Sequence, residues 1–288
     1  MNPIFSRTLK VLCVVAVAGV LSACGAGSTV DPFRPTRVIG LGDGYNDPTA
    51  TVREVGSTTG TVVEQMATSF GQSNVLNKGV TGARVADLAA QIDSVGSFTA
   101  GDLVVITIGT FDVKAGAVPA TEAQTLVTQV QRLKTAGVKH ILIMPVLDIS
   151  KTPWGRATSF DPTATPTVSL TNTFNMEVLS ALSTAFGGQT PNTVIYANAS
   201  GVTSSFLTVT SAASVSPFTV TGFYRTDVNP VVPVLPACGD AALFVGCDVS
   251  VANTSYATML FADGIHLTPA GNRWVASYLY NATAQGWR

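Results

Sequence analysis

The chain has 288 residues, of which 46% are hydrophobic and only 11% are charged, against about 25% charged residues in an average soluble domain. This composition excludes an intrinsically disordered tail. Sixteen Lys and Arg against 17 Asp and Glu give a net charge of -1, which excludes a nucleic-acid partner held by phosphate neutralisation. The length is sufficient for a sizeable hydrophobic core.

The first 23 residues have the layout of an export signal. Arg7 and Lys10 precede an apolar run from Val11 to Leu21, which is too short to span a bilayer by itself. The sequence Leu21-Ser22-Ala23-Cys24 that follows resembles the lipobox of bacterial lipoproteins, in which the cysteine is acylated and becomes the first mature residue. The resemblance implies a protein anchored to a membrane of the bacterial cell envelope through lipid on Cys24. The alternative is an ordinary cleaved signal with an incidental cysteine.

The four cysteines fit an exported protein. Cys13 leaves with the signal and Cys24 would carry lipid, so that Cys238 and Cys247 remain in the mature chain. Two cysteines at this spacing in an oxidising compartment predict a disulfide that closes one surface loop. We expect no metal site, because neither of the two histidines neighbours this pair.

Residues 24–35 are expected to form a flexible tether, which starts with a Gly-rich stretch after Cys24, and residues 36–288 are expected to form one domain. In this domain, short apolar runs alternate with segments of helical period, which predicts a three-layer α/β/α fold with a parallel central sheet. We expect buried strands at Val38–Leu41, Leu103–Ile108, Ile141–Met144 and Val194–Tyr196. Helical faces are expected at Val62, Met66 and Phe70; at Val85, Leu88, Ile92 and Val95; at Leu126, Val130 and Leu133; and, after a cap at Thr268, at Trp274, Tyr278 and Leu279. The two aperiodic segments, Leu147–Leu170 and Ala199–Asp248, are predicted to be loops that border a cleft.

Four segments carry the candidate site, and each follows an element of the predicted fold. They read Gly42-Asp43-Gly44-Tyr45-Asn46-Asp47, then Asn77-Lys78-Gly79-Val80-Thr81-Gly82-Ala83-Arg84, then Gly109-Thr110-Phe111-Asp112, and finally Leu260 to Pro269 with Asp263 and His266. In this order they resemble blocks I, II, III and V of the GDSL, or SGNH, family of serine hydrolases, which includes lipases and esterases. The resemblance covers roughly residue 36 to the C-terminus and implies a flavodoxin-like SGNH hydrolase fold.

The same resemblance implies roles for individual residues in acyl transfer. His266 would be the base that activates a nucleophile, and Asp263 would orient it. The backbone N–H that helps to hold the oxyanion would belong to Gly82, with Gly79 as the alternative. A purely structural interpretation of the last block remains open, in which Asp263 caps a turn and His266 is a hydrogen-bonded core residue.

Two family positions are not kept. Gly44 stands where the family has its nucleophilic serine, and Phe111 stands where it has the oxyanion asparagine. Loss of the nucleophile costs about 10⁶ in turnover, and loss of one oxyanion donor costs about 10² to 10³. The segment 41–54 contains no serine, Thr49 and Thr51 lie too far along it, and Tyr45 is expected to point elsewhere.

These observations predict an envelope lipoprotein with a degenerate esterase site. Such a protein would bind an acyl or glycan ligand, or a protein partner, without a cofactor, in a pocket where His266 faces no hydroxyl. The alternative is an active GDSL-type serine esterase or lipase with unusual machinery, which the retained Asp263 and His266 favour. A third interpretation is a purely structural lipoprotein.

Overall fold

The computed structural model describes residues 33–49, 60–152, 154–155, 158–161, 169–187, 193–197, 264–267 and 269–287. Several sequence predictions concern residues outside these ranges. They are the lipidation site Cys24, the cysteine pair Cys238 and Cys247, the orienting carboxylate Asp263, the helix cap Thr268 and the predicted loop 199–248. These therefore stay predictions.

Five parallel strands form one sheet in the described part of the chain. In chain order they are β1 (Arg37–Gly42), β2 (Val75–Asn77), β3 (Asp102–Thr107), β4 (His140–Met144) and β5 (Val194–Tyr196), and their order in the sheet is β2-β1-β3-β4-β5. This 2-1-3-4-5 order is that of flavodoxin-like folds, so the predicted fold class is confirmed. The four predicted strands are present within one residue at each end. The sequence missed β2, whose three residues are only half-buried and too few to show a period.

The described helices are α1 (Val62–Ser69), α2 (Leu88–Val95), α3 (Thr110–Lys114), α4 (Pro119–Thr135), α5 (Leu170–Phe186) and α6 (Pro269–Gly286). Local sequence features explain where several of these helices begin. Thr61 and Glu64 form a capping box before α1, and the Ser169 side chain accepts a hydrogen bond from the N–H of Asn172 at the start of α5. Helices α4 and α6 begin with a proline, which is favoured at the first helical position. Within the described ranges, we find no helix with both the length and the apolar character that a membrane crossing requires.

The helices cover both faces of the sheet. Alternate strand residues such as Ile39, Val104 and Ile141 pack into one core with α2, α4 and α5. Their neighbours point to the other face, where a Cβ atom added to Gly40 would overlap Val63 of α1, and where α1 packs against α6. Alternation of side chains along each strand thus produces the three predicted layers.

One predicted helix face is partly wrong. In α6, Leu279 is buried as expected, but Trp274 and Tyr278 are only half-buried. The buried stripe of α6 instead follows the helical spacing of Asn272, Val275, Ala276, Leu279 and Thr283. Large aromatic side chains with a polar tip commonly lie at the edge of a packed face, and this explains the error.

The carboxyl end of β1 is held in a conformation that requires glycine. Gly42 has a φ of 114°, and a Cβ atom at this position would overlap the carbonyl oxygen of Thr107 in β3. The side-chain amide of Gln91 in α2 accepts from the N–H of Gly42 at 2.6 Å and donates to its carbonyl at 2.8 Å. These contacts fix the direction in which the chain leaves the sheet toward the candidate site.

Candidate active site

The candidate site lies at the carboxyl ends of β1 and β3, the place where the strand order of this fold reverses and where ligands of open parallel sheets bind. Gly44 begins a single 3₁₀ turn, Gly44–Asn46, directly after β1. Phe111 lies in the first turn of α3, just beyond β3. The structure brings these two residues together with His266 of the final block, and Gly82 lies in the loop that follows β2.

Buried polar side chains hold the turn after β1 in place. Asn46 donates from Nδ2 to the carbonyls of Leu41 and Val105, and its Oδ1 accepts from the N–H of Val63. The carboxylate of Asp47 accepts from the N–H of Thr81 at 2.8 Å, which connects this turn to the loop after β2. The first two candidate segments therefore form one rigid unit around Gly44.

The imidazole of His266 lies directly against the backbone of Gly44. A Cβ atom added to Gly44 would overlap Nε2 of His266, which is itself only 5% exposed. The Tyr45 hydroxyl donates to the carbonyl of Ile265 at 3.4 Å and ties the histidine segment to the turn. The imidazole thus occupies the space that a serine side chain would need, and its position depends on glycine at residue 44.

Thr81 is a residue of the site that the sequence analysis did not single out. Its buried Oγ1 lies 3.2 Å from the position that a Cβ of Gly44 would take. The Thr81 hydroxyl and the His266 imidazole therefore approach the same point from two sides, but Thr81 Oγ1 and His266 Nε2 form no hydrogen bond with each other. The available signal was only the place of Thr81 next to Gly82, because the sequence does not reveal how closely the loops after β1 and β2 approach.

Two aromatic rings flank the imidazole. The ring centroid of Phe111 lies 6.4 Å from that of His266, and the centroid of Tyr45 lies 6.3 Å from it. An aromatic ring cannot donate the hydrogen bond that an asparagine amide would give an oxyanion. Among the described residues, no group of His, Cys, Asp and Glu side chains is arranged to hold a metal ion.

The two candidate oxyanion glycines have different environments. A Cβ atom on Gly79 would lie 2.5 Å from the backbone of Asn46, so this glycine is required by close packing. Gly82 is exposed, has a φ of 84° and has open space around its Cβ position. Gly82 directly follows Thr81, and the assignment of the oxyanion N–H to Gly82, with Gly79 as the alternative, stays a prediction.

Two buried carboxyl groups lie beneath the site. Burial raises the pKa of Asp43 to about 6, although hydrogen bonds, the strongest from the Thr110 side chain, oppose the rise. Burial likewise raises the pKa of Asp112 to about 7. The hydrogen bond from the N–H of Val85 lowers this pKa, whereas the negative charges of Glu122 and Asp43 raise it further. Both oxygens of Asp112 lie 3.2 Å from that N–H, so this carboxyl group connects α3 to the segment that leads into α2.

Replacing Asp112 with Asn is expected to stabilise the protein relative to wild type progressively as the pH rises from about 4 to about 7. The pKa of Asp112 is raised to about 7 in the folded state and is about 3.9 in an unfolded chain, so the folded protein binds the proton more tightly and loses stability on deprotonation. Asparagine mimics the neutral acid and still accepts from Val85. Urea denaturation across this pH range measures the difference.

The matched control is Asp102→Asn, for which we expect the stability difference from wild type to change with pH in the opposite direction. Burial alone would raise the pKa of Asp102, but the hydrogen bond and charge of Arg37 and the N–H of Thr99 bring it below its usual value. Wild type therefore gains stability over this variant as the pH rises toward about 4, and the difference is constant above that pH. A constant difference between wild type and Asp112→Asn from pH 4 to pH 7 would contradict the prediction.

Comparisons with known proteins concern the family and the fold of this chain. The sequence profile described as the GDSL-like lipase/acylhydrolase family matches residues 41–170, a segment that contains Gly44, Gly82 and Phe111. Curated proteins include no match to the chain.

Solved structures that are similar to this chain include three proteins from different sources. LAE5, an alpha/beta hydrolase enzyme from the metagenome of Lake Arreo in Spain, is 14% identical with a TM-score of 0.50 over 87% of this chain and 95% of its own. A catalytic mutant of the acetylxylan esterase Axe2 from Geobacillus stearothermophilus is 17% identical with a TM-score of 0.49, over 87% and 94%. A lipolytic protein of the G-D-S-L family from Veillonella parvula is 14% identical with a TM-score of 0.47, over 85% and 96%. At these identities the likeness to LAE5 concerns the fold alone.

Proposed function

This chain belongs to the GDSL-like lipase/acylhydrolase family, and we propose that it is an envelope lipoprotein that has lost serine-dependent acyl transfer and uses the family's cleft to bind a ligand. The ligand is an acyl or glycan compound, or a protein partner. The observation that carries the proposal is the contact of the His266 imidazole with Gly44, which fills the place of the missing nucleophile.

The chemistry of the remaining groups supports this proposal. A histidine base accelerates acyl transfer only when it can take a proton from a nucleophile, and residue 44 offers no side chain. Phe111 provides no hydrogen bond to an oxyanion. Each difference removes orders of magnitude of turnover, one by removing the attacking nucleophile and the other by removing a hydrogen bond that stabilises the oxyanion.

An active esterase is the second candidate, and one observation favours it. The Thr81 hydroxyl lies 3.2 Å from the Cβ position of Gly44, a position that His266 Nε2 also approaches, so that a threonine of the second block could replace the serine of the first. Against it, Thr81 Oγ1 is buried, and the N–H of the same residue is engaged by Asp47.

Ester hydrolysis separates the two candidates. We expect wild type to hydrolyse p-nitrophenyl butyrate no faster than the His266→Ala variant, and a serine-directed fluorophosphonate probe to leave the protein unlabelled. Activity that is lost in both His266→Ala and Thr81→Ala would instead support the esterase.

Lipid attachment to Cys24 is a separate expectation, because the lipobox-like sequence precedes the tether. Mass spectrometry of the mature protein is expected to find a diacylglyceryl group on an N-terminal Cys24, and a Cys24→Ala variant should move from the membrane to the soluble fraction. The control is Cys13→Ala, which changes the removed segment and should leave the protein membrane-bound. A mature N-terminus at another residue, without lipid, would overturn the assignment.

A further inference from the structure

The proposed lipid tether joins the domain at the edge of the sheet opposite the candidate site. The chain enters β1 at Arg37 and reaches the site only after that strand ends. Two hydrogen bonds hold the entry point. The N–H of Thr36 donates to the carbonyl of Gly101 at 2.8 Å. The side chain of Gln72 donates to the carbonyl of Pro35 at 2.9 Å. We call this side of the domain, where the parallel strands begin, the strand-start edge.

The strand-start edge is far from the edge that carries the site. Helix α6 spans the domain between them: its first turn follows His266, and Trp287, directly after its last residue, contacts the ring of His140 at the start of β4, with 5.0 Å between the ring centroids. Its 18 residues extend over about 27 Å. A tether of about ten residues, from Cys24 to Arg34, has a root-mean-square length of about 17 Å. A relaxed tether is therefore too short to place the site edge on the membrane.

The strand-start edge carries exposed positive charges. Arg34 lies just before β1 and Lys139 directly before β4; both side chains are exposed, and neither forms an ion pair with a described residue. One strand separates β1 from β4, so the two strands lie about 10 Å apart. Lys134, in the last turn of α4, adds a half-buried positive charge. The carboxylates that the described residues place at this edge are paired with arginines, as Asp102 with Arg37 and Asp93 with Arg132.

The first helical turns at the site edge contain acidic residues instead. They are Glu64, Asp87, Asp112 and Glu122. Acidic residues in first turns also complement the helix dipole, so by themselves they do not indicate a partner. Arg34 and Lys139 lie outside helices, and the dipole does not explain them. An anionic surface therefore attracts the strand-start edge and repels the site edge.

We propose that the strand-start edge is a docking surface for an anionic phospholipid membrane, so that the candidate site opens away from the membrane that holds the lipid anchor. Lysine and arginine side chains beside such a membrane add electrostatic attraction to the hydrophobic attachment of an acyl anchor. This inference rests on the proposed function, because it takes the anchor on Cys24 as given. It also deepens that function: the ligand is a compound or partner that reaches the site from the side away from this membrane.

Two exposed apolar side chains at the site edge favour the reverse orientation. Val80 is 54% exposed and Val118 is 64% exposed. Single exposed apolar residues are common on protein surfaces. Glu122, in the first turn of the helix that follows Val118, disfavours contact with anionic headgroups. The orientation of the domain on a membrane separates the two possibilities.

The experiment measures which edge lies closer to the membrane. Mature protein is reconstituted through its lipid into nanodiscs of phosphatidylcholine, with or without phosphatidylglycerol, and a gadolinium chelate on a few headgroups broadens the magnetic-resonance signals of nearby amides. With phosphatidylglycerol, the amides of Gly71 and Gly137 at the strand-start edge should broaden at least about threefold more than those of Gly82 and Gly116 at the site edge, since each positive charge near an anionic surface shifts the population about fivefold. The difference should shrink without phosphatidylglycerol and at high salt.

The variants test whether the charges cause this orientation. Arg34→Gln with Lys139→Gln should remove about half of the difference or more in the phosphatidylglycerol discs. The matched control is Lys78→Gln with Arg84→Gln, which removes the same charge after β2 at the site edge and should keep the difference. All four side chains are at least partly exposed, and thermal melts should show that both variants fold.

Three results would overturn the proposal: equal broadening at the two edges in phosphatidylglycerol discs, stronger broadening at the site edge, or equal effects of the two double variants. A mature chain with a hexahistidine tag in place of the lipid, held on nickel-chelating lipid, gives the same readout without the natural anchor. Absence of lipid on Cys24 would therefore contradict the proposed anchor, whereas the tagged protein would still decide which edge faces the membrane.

Discussion

A double variant, Gly44→Ser with Phe111→Asn, is expected to hydrolyse p-nitrophenyl butyrate at least about 10²-fold faster than wild type, whose rate should equal that of His266→Ala. Serine supplies the missing nucleophile, and asparagine supplies an oxyanion donor worth about 10² to 10³ in turnover. The structure adds a reason for changing both residues. A Cβ at residue 44 overlaps His266 Nε2, and removal of the Phe111 ring gives the imidazole room to withdraw. Gly44→Ser alone should therefore gain little.

The control for this result is Gly44→Ala with Phe111→Asn, which introduces the same crowding at residue 44 without a hydroxyl. This variant should stay at the background rate, and thermal melts should show that both double variants fold. A wild-type rate that falls in His266→Ala would contradict the expectation. In that case Thr81→Ala tests whether the neighbouring hydroxyl is the nucleophile.

Gly42→Ala is expected to destabilise the fold by about 4 kcal/mol or more, which is a large fraction of the stability of a typical domain. The φ of 114° disfavours any residue with a Cβ, and that Cβ would overlap the backbone oxygen of Thr107. A backbone oxygen in the middle of a sheet cannot move aside as a flexible side chain can. Denaturant titration of soluble protein, or loss of soluble expression, measures the effect.

Two further variants keep this prediction testable if Gly42→Ala does not fold. Gly71 also has a positive φ, of 64°, but nothing lies within 4 Å of its Cβ position, so Gly71→Ala should cost only about 1–2 kcal/mol. Gln91→Met keeps the length of the side chain but removes its two hydrogen bonds to the N–H and carbonyl of Gly42. This loss should lower the free energy of unfolding by about 2–4 kcal/mol. Similar losses in Gly42→Ala and Gly71→Ala would contradict the proposed cause.

The sequence was sufficient to place most elements of the sheet. Buried parallel strands such as β3 contain an uninterrupted apolar run, here residues 103–106. In amphipathic helices, apolar residues recur every three to four positions, so both patterns appear directly in the residue order. The edge strand β2 was missed because three half-buried residues carry no period. The inner face of α6 was partly misassigned because aromatic residues are not always the most buried ones.

The sequence alone also identified the two positions that differ from the family-like segments. Gly44 and Phe111 are identifiable from their places in the family-like segments, and the chemistry that they lack follows from the residue types. What the sequence did not specify is what takes up the space of the missing serine.

Only the tertiary structure decided how the site is filled. Three contacts at the site join segments that are distant in the chain. His266 overlaps the Cβ position of Gly44, Thr81 approaches that position, and the Lys114 ammonium lies over the Trp154 ring. Such contacts depend on strand order and loop packing, and periodicity carries no information about either. Burial of Asp43 and Asp112 beneath the site likewise results from neighbouring elements that exclude water, so their raised pKa values could not be inferred from residue type.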